Sequence, residues 1–334
     1  KALMPVIRSF GGFAGNARIL SVLRRAAGPD GRFLRHAYLL YGAAGTGKKT
    51  LAAVLAAALV CEGEGRPCGE CPACKKAFGA LGHPDILRFR TPEGKTQFPV
   101  ELVRKAREEA YVRPTEGDRK VIIFENAEEM NASAANALLK VLEEPPNYLT
   151  FIITCDNLSA LPETVPSRCV PLELHELTPR RAEQWLLRAY PDAGPEKLDM
   201  AMLCGGGNLG RSIRYLEDEK AAAVFDSALQ LLRAMAEGRE FDLLTVLSRF
   251  EGDRAGLLEL LPAADRMAGA AARAAFLPAD RVPAALAARI SPPRAEALHR
   301  LVTDIRERMR VNVSQSLLLG YFAGQMKRIM EEVF

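Results

Sequence analysis

A glycine-rich run from Gly42 to Thr50 has the residue types that hold phosphate groups. Its glycines are Gly42, Gly45 and Gly47. Glycine lets backbone N–H groups turn inward around phosphate oxygens, and Lys48 adds a positive charge where the next element begins. The run therefore predicts a loop that can cradle the phosphates of a nucleotide.

The segments on either side of this loop fit the same interpretation. His36 to Tyr41 is typical of a short buried strand, and Leu51 to Val60 is typical of an apolar helix. The N-terminus of that helix would face the phosphates and attract their charge. The alternative is an ordinary glycine-rich turn between a strand and a helix. The match in both the loop and its setting favours the phosphate-binding interpretation.

The loop departs from a metal-binding pattern directly after its lysine. A Ser or Thr hydroxyl at that position normally holds Mg²⁺. Here the position is a second lysine, Lys49, and the hydroxyl of Thr50 comes one residue late. We therefore expect the loop to be empty or to hold ATP or ADP passively, without Mg²⁺.

A second departure lies at the end of the apolar segment Lys120 to Phe124, which is predicted to be a buried strand. In hydrolytic sites of this kind an acid at the strand end holds the metal, and the next acid commonly polarises the attacking water. Glu125 could be the first acid, but Asn126 cannot accept a proton from water. Glu128 and Glu129 follow, and we expect them to be solvated at a helix start. The sequence predicts little or no hydrolysis.

Arg168 is the candidate for chemistry on a neighbouring molecule. It lies between Ser167 and Cys169, after the turn-forming Pro162 and Pro166 and just before a predicted strand. An arginine presented rigidly there could reach a neighbour's γ-phosphate and stabilise the charge of its transition state. Taken alone, a loop arginine is more often solvated or locally paired.

Four of the seven cysteines are clustered within residues 61–74: Cys61, Cys68, Cys71 and Cys74. Two successive two-residue spacings let backbone turns aim thiolates at one tetrahedral centre, and a cytosolic chain favours metal over disulfides. The cluster predicts a structural Zn²⁺ that staples a loop, because four sulfur ligands leave no open position for catalysis. The alternatives are reduced surface thiols or a redox pair. The remaining cysteines are predicted to be small buried residues: Cys155, Cys169 and Cys204.

Length and composition indicate a globular protein of two or three domains, because 334 residues with 49% hydrophobic content can bury sizeable cores. The longest apolar run, Leu51 to Cys61, is too short to span a bilayer, and Lys1 to Asn16 lacks a signal-peptide pattern. We therefore expect a cytoplasmic protein with no membrane partner. A formal net charge of +4 is too weak to indicate nucleic-acid binding by itself.

Apolar strands alternate with helical segments up to about residue 176. The predicted strands are 36–41, 85–89, 120–124, 150–154 and 169–174, and predicted helices include 51–60, 100–111 and 131–143, the last with Asn131 as its N-cap. Strands that alternate with helices predict an α/β fold with a mostly parallel sheet and ligands at the carboxyl ends of its strands.

From Thr178 onward the pattern is helical. Three short predicted helices, 178–188, 195–203 and 209–218, form one compact group. Longer amphipathic helices continue to Phe334, and the predicted breaks are Gly238, Gly252, Pro278 and the proline pair 292–293. We therefore predict a core over residues 1–176 with the cysteine insert 61–74, a three-helix domain over 177–220 and an all-helical domain over 221–334.

The run Asn136 to Lys140, the following Leu142 to Pro146 and the motif Ser167 to Cys169 occur together with a cysteine insert after the loop helix. In this combination they resemble bacterial clamp-loader subunits of the AAA+ class. The resemblance extends from about Phe10 to Gly210. It implies an AAA+ P-loop core with a parallel sheet, a small helical lid over 177–220 and an all-α collar over 221–334.

Two departures separate the chain from the motor subunits of that family, tau/gamma. Those motors have a hydroxyl residue after the loop lysine and an Asp-Glu pair at the strand end. This chain has Lys49 in the first place and Glu125 followed by Asn126 in the second. It is therefore similar to the delta-prime type of subunit in DNA polymerase III, which implies a degenerate ATPase site.

The resemblance also assigns roles to individual residues. It implies that Arg168 acts in trans on the ATP of an adjacent motor, and that Thr154 is the sensor residue after its strand. The alternative for Thr154 is an ordinary strand-end turn residue. In the lid, Gly210 occupies the place of a motor arginine and Arg211 comes one residue late, which weakens nucleotide sensing.

The implied partners are delta and three tau/gamma subunits in a hetero-pentameric ring that loads the sliding clamp on primed DNA during replication. Two other hypotheses remain. One is an active tau/gamma-like ATPase in which Thr50 and Glu125 substitute for the missing groups by local rearrangement. The other is a zinc-stapled structural adaptor unrelated to replication.

Overall fold

The computed structural model describes residues 7–95, 97–274, 284–309, 311 and 313–331. Within these residues the chain divides into two compact units, 7–177 and 178–331. The first unit is α/β and carries every predicted site residue. The second unit is helical throughout its described part.

One five-stranded sheet organises the first unit. Its strands are β1 (Ala37–Tyr41), β2 (Ile86–Phe89), β3 (Lys120–Phe124), β4 (Leu149–Cys155) and β5 (Val170–Glu173). Their order across the sheet is β2-β3-β4-β1-β5, and every neighbouring pair is parallel. The carboxyl ends of all five strands therefore meet at one edge, where open α/β sheets bind their ligands.

Helices cover both faces of this sheet. They are α1 (Ala17–Ala26), α2 (Lys48–Val60), α3 (Pro72–Ala77), α4 (Val100–Ala110) and α5 (Ala132–Glu143). Successive residues of a strand point to opposite faces. Accordingly Ile123 of β3 joins a core with α1 and α2, and Phe124 joins a second core with α4 and α5. Burial on both faces explains why these strands are continuous apolar runs.

The second unit consists of nine described helices. They are α6 (Pro179–Ala189), α7 (Pro195–Gly205), α8 (Leu209–Glu217), α9 (Glu219–Glu237), α10 (Glu240–Ser248), α11 (Arg254–Ala274), α12 (Ala284–Ala287), α13 (Pro292–Arg308) and α14 (Gln315–Glu331). Helix α11 packs against α9 and α13 in a shared apolar core. Within the described part of the chain, we find no helix with the length and apolar character needed to cross a membrane.

The elements predicted from the sequence are found with small shifts at their ends. The side chain of Asn131 caps α5 by accepting a hydrogen bond from the N–H of Ala134 at 2.9 Å, as predicted. The break predicted at Pro278 lies outside the described residues. The boundary predicted at residue 220 falls inside α9. The separation of a lid from a collar remains a prediction.

Candidate nucleotide site and cysteine centre

The loop between β1 and α2 has the conformation that its glycines predict. The φ angles of Gly42, Gly45 and Gly47 are 137°, 85° and 90°, in a region that residues with a Cβ rarely adopt. A Cβ added to Gly42 would lie 2.2 Å from the carbonyl oxygen of Leu174, which is far inside contact distance. The loop therefore requires glycine for both its backbone angles and its close packing.

Lys48 is buried at the start of α2, with 5% of its surface exposed. Its ammonium group donates to the carbonyl oxygens of Gly42 and Ala43, at 2.8 Å each, and forms an ion pair with Asp156 at 2.7 Å. These three contacts match the three N–H donors of a lysine. A phosphate group that enters the loop must therefore compete with Asp156 for the lysine.

Asp156 is a site residue that our sequence reasoning missed. It directly follows β4, and β4 pairs with β1 in the sheet. The carboxyl end of β4 therefore lies next to the loop that follows β1. This neighbour relation depends on the strand order, which the sequence does not show locally, and the family resemblance drew attention to Thr154 instead.

Lys49 lies against the acid at the end of β3. Its Nζ is 3.4 Å from Oε2 of Glu125, whose side chain is only 11% exposed. Thr50 lies further along the first turn of α2 and is half-buried. Mg²⁺ is bound by oxygen ligands in near-octahedral geometry. Here the carboxylate that would bind the ion, that of Glu125, is already paired with the Lys49 ammonium. The residues present at this position do not fit Mg²⁺.

Three further polar residues lie near the carboxyl ends of β3 and β4: Asn126, Glu128 and Thr154. The Oγ1 atom of Thr154 accepts a hydrogen bond from the N–H of Asn126 at 3.2 Å, and Asn126 has a left-handed φ of 55°. The prediction that Glu128 is solvated holds only in part, because its side chain is half-buried. Its Oε1 accepts from the N–H of Asp156 at 3.1 Å, and burial raises the pKa of its carboxyl group.

Arg168 does not join these residues. It ends a short 3₁₀ turn, Pro166–Arg168, that precedes β5. Because Val170 of β5 pairs with Tyr38 in a parallel register, this turn lies at the amino edge of the sheet. The loop at Gly42 follows the other end of β1, about 13 Å away at 3.3 Å per residue. Arg168 therefore lies at the opposite edge from the chain's own phosphate loop.

The guanidinium of Arg168 is held locally. Its Nε and Nη2 donate to Oε1 of Glu143, at the end of α5, and its Nη1 donates to the carbonyl oxygen of Thr164 and to Oγ of Ser167. About a third of the arginine side chain and half of that of Glu143 are exposed. This contact links the motif Leu142 to Pro146, which contains Glu143, with the motif Ser167 to Cys169, which contains Arg168.

The four clustered cysteines come together as the spacing predicts. Their sulfur atoms all lie within 4.8 Å of one another, and two of the pairs, Cys61 with Cys71 and Cys68 with Cys74, are each separated by 3.9 Å. A tetrahedral zinc with Zn–S bonds of 2.3 Å places its sulfurs about 3.8 Å apart. The donor set and its dimensions therefore fit Zn²⁺.

Backbone N–H groups turn toward three of these sulfurs. The N–H groups of Cys68, Cys71 and Cys74 donate to the sulfurs of Cys61, Cys68 and Cys71 in that order, each at 3.4 Å. Burial raises the pKa of the Cys71 thiol, but hydrogen bonds from the backbone of Cys74 and Glu62 and from the thiols of Cys68 and Cys74 outweigh burial and lower it to about 6. Burial dominates at Cys61 and Cys74 and raises the pKa of both.

The three remaining cysteines lie apart from this centre. Cys155 and Cys204 are buried, as predicted, whereas Cys169, which directly precedes the edge strand β5, is only half-buried. Burial raises the pKa of both Cys155 and Cys169 to about 12. Neither is suited to act as a nucleophile, since reactivity requires the thiolate.

Comparison with known proteins shows what this arrangement resembles. A family model described as "DNA polymerase III, delta subunit" matches residues 15–178. The DNA polymerase III subunit delta' of Pseudomonas aeruginosa is 37% identical over 210 residues, which are 59% of this chain and 62% of that protein. The subunit tau/gamma of Haemophilus influenzae is 31% identical over 54% of this chain and 25% of that protein. The chain thus spans less than two thirds of the length of these relatives.

The crystal structure of a DNA polymerase III gamma subunit-related protein from Thermotoga maritima shares the fold. It covers 88% of this chain and 95% of its own, with a TM-score of 0.50 at 16% identity. The parallel sheet, the phosphate loop and the helices that follow form an α/β core with additional C-terminal helices. Residues 15–178 therefore match the family described as "DNA polymerase III, delta subunit", and the chain is similar to the delta-prime subunits of DNA polymerase III.

Proposed function

We propose that this chain is a clamp-loader subunit of the delta-prime kind, which completes the ATP site of a neighbouring motor subunit while its own site does not hydrolyse ATP. In this function the chain assembles with delta and tau/gamma subunits in a ring of five. The ring opens the sliding clamp and places it on primed DNA. The family match and the delta-prime relative support this assignment.

The observation that carries the proposal is the placement of Arg168. It lies at the amino edge of the sheet, on a short turn between Pro166 and β5, whereas the chain's own loop follows the carboxyl end of β1. A side chain there cannot serve its own loop, but it is partly exposed and accessible to another molecule. A guanidinium presented in trans stabilises the charge that develops on a transferring phosphoryl group.

The residues of the chain's own site support the second half of the proposal. Asn126 holds the position of the water-polarising acid, and an amide is not a general base. Lys49 replaces the metal-binding hydroxyl and lies on Glu125. The loop can still receive phosphate oxygens on its backbone N–H groups, so nucleotide binding without turnover is consistent with the geometry.

The test is Arg168→Ala in a complex reconstituted with tau/gamma, delta and the sliding clamp on primed DNA. We expect single-turnover ATP hydrolysis to fall about 10³-fold at the one motor site that Arg168 serves, with the other motor sites unchanged. Arg104→Ala, an exposed position on α4, is the matched control and should hydrolyse at the normal rate. Unchanged hydrolysis and clamp loading by the Arg168 variant would exclude the trans role.

The cysteine centre is proposed to hold one structural Zn²⁺ that fixes the segment between α2 and α4. The four sulfurs fit its tetrahedral radius, and no position remains open for a substrate. Elemental analysis should find one zinc per chain, lost in Cys71→Ser and retained in Cys169→Ser. Full zinc content in the Cys71 variant would contradict the assignment.

The 31% identity to a tau/gamma subunit favours a second candidate function, an active motor. A motor must polarise water at its own site, and Glu128 is the nearest acid in sequence after Asn126. Its carboxylate instead accepts the N–H of Asp156, and burial raises its pKa. An active motor would hydrolyse ATP as an isolated chain in the presence of Mg²⁺, which the first proposal does not expect.

A further inference from the structure

The ion pair between Lys49 and Glu125 joins the two positions that would share a metal in a hydrolytic phosphate loop. In such loops the residue after the lysine binds Mg²⁺ through its hydroxyl, and the acid at the strand end binds the same ion. Here these two positions are linked to each other directly, Nζ to Oε2 at 3.4 Å. A single positive charge therefore stands between the loop helix and the acid, where a divalent cation would otherwise bridge them.

We propose that Lys49 is a built-in replacement for Mg²⁺, so that the loop binds the phosphates of ATP without a divalent metal. An ammonium group donates up to three hydrogen bonds. Glu125 pairs with the charge of Lys49 at 3.4 Å, which leaves N–H donors for the phosphate oxygens that Mg²⁺ would otherwise coordinate. The lysine is half-exposed whereas Glu125 is buried, so the free donors face the open side of the loop.

The charges around the loop predict how such binding behaves. Lys48 meets Asp156 at 2.7 Å, and Lys49 meets Glu125 at 3.4 Å, so each lysine is matched by one carboxylate. A loop neutralised in this way attracts a triphosphate less strongly than one with an unpaired lysine and a divalent ion. We therefore expect weak binding whose strength does not depend on Mg²⁺.

Replacement of Lys49 by threonine should restore the dependence on metal. Lys49→Thr removes the ammonium from Glu125 and places a hydroxyl directly after Lys48, which recreates both protein ligands of a Mg²⁺ ion. Lys105→Thr removes an exposed lysine from α4 and serves as the matched control. Lys48→Met keeps an apolar stem at the buried position and shows whether binding occurs in the loop.

The measurement is calorimetric titration of the full chain with ATP, with added MgCl₂ and without it. Chelators are left out because they would remove the Zn²⁺ proposed for the cysteine centre. We expect the natural chain and Lys105→Thr to bind ATP with equal affinity under both conditions, within about twofold. Lys49→Thr should bind at least tenfold more tightly with Mg²⁺ than without it, and Lys48→Met should lose binding. Circular dichroism confirms that each variant is folded.

Three results would overturn the inference: natural protein that binds at least tenfold more tightly with Mg²⁺, natural protein that binds ATP under neither condition, or a Lys49→Thr variant that is indifferent to Mg²⁺. The inference does not depend on the trans role of Arg168. The two can fail separately, because this titration uses the isolated chain.

Discussion

Two donors of the Arg168 guanidinium, Nε and Nη2, converge on one carboxylate oxygen of Glu143, at 2.9 Å and 2.6 Å. Glu143 is the last residue of α5, where the helix dipole disfavours a negative charge. The arginine neutralises that charge and is itself kept in one orientation. The pair is partly exposed, and the proposed trans role requires a neighbour's phosphate to displace the carboxylate.

Glu143→Gln should therefore have little effect on stability. Exposed ion pairs contribute between about 0 and 1 kcal/mol, and the substitution also removes an unfavourable charge from the end of α5. We expect the free energy of unfolding, measured with urea, to change by less than about 1 kcal/mol. A loss of more than about 2 kcal/mol would mean that the pair holds the fold together and is not a replaceable contact.

Gly42→Ala should destabilise the chain by about 3 kcal/mol, because a Cβ there is strained at a φ of 137° and overlaps the carbonyl oxygen of Leu174. Gly117→Ala is the control, since a Cβ at that position meets open space and the φ angle is not positive. Its unfolding free energy should stay within about 0.5 kcal/mol of the natural value. Equal unfolding midpoints for the two variants would contradict the strain assigned to Gly42.

Much of the fold was predictable because each strand and helix carries its own local signal. The segment from Lys120 to Phe124 is apolar after its first residue and proved to be a strand buried on both faces. Asn131 could be assigned as an N-cap because capping uses only nearby residues. The glycine loop and the cysteine cluster were likewise predictable, since their geometry follows from spacing within a short segment.

The contacts that set the charge of the site were not predictable in this way. Lys48 meets Asp156 across more than a hundred residues of sequence, and Arg168 meets Glu143 across 25. Such pairs depend on the order of strands in the sheet and on how helices pack, which a single sequence does not encode locally. The partial burial of Glu128 was missed for the same reason.

Asp85→Asn should lower the free energy of unfolding by about 2 kcal/mol at pH 7. Burial raises the pKa of Asp85, but the backbone N–H groups of Thr115, Glu116 and Gly117 outweigh burial and hold it below its ordinary value. An amide nitrogen in place of one oxygen would face those N–H groups without accepting from them. Urea unfolding measures the difference.

The pH dependence of that difference has a definite sign. The pKa of Asp85 is lower in the folded state than in the unfolded state. Its contribution to the free energy of unfolding is therefore fully present above the unfolded-state pKa and is lost as the pH falls through the folded-state pKa. The gap between the natural chain and Asp85→Asn should therefore narrow in acid. Asp118→Asn, an exposed position in the same loop, should show no gap at any pH. A gap that is constant with pH would contradict the role assigned to the carboxylate.

Cys155 should resist alkylation in the native protein. With its pKa raised to about 12, only about one thiol in 10⁴ is ionised at pH 8, and the side chain is also buried. Iodoacetamide treatment followed by peptide mass spectrometry should find Cys155 unmodified until urea is added. Rapid modification of Cys155 under native conditions would show that the end of β4 opens readily.

The most direct test of the central claim is ATP hydrolysis by the purified chain alone, compared with hydrolysis by the complex that contains it. We expect the isolated chain to release no phosphate above background with Mg²⁺, because Asn126 and Lys49 replace the groups that turnover requires. The complete complex on primed DNA should hydrolyse ATP in a manner that depends on Arg168. Turnover by the isolated chain that disappears in Lys48→Met would show instead that the chain hydrolyses ATP at its own loop.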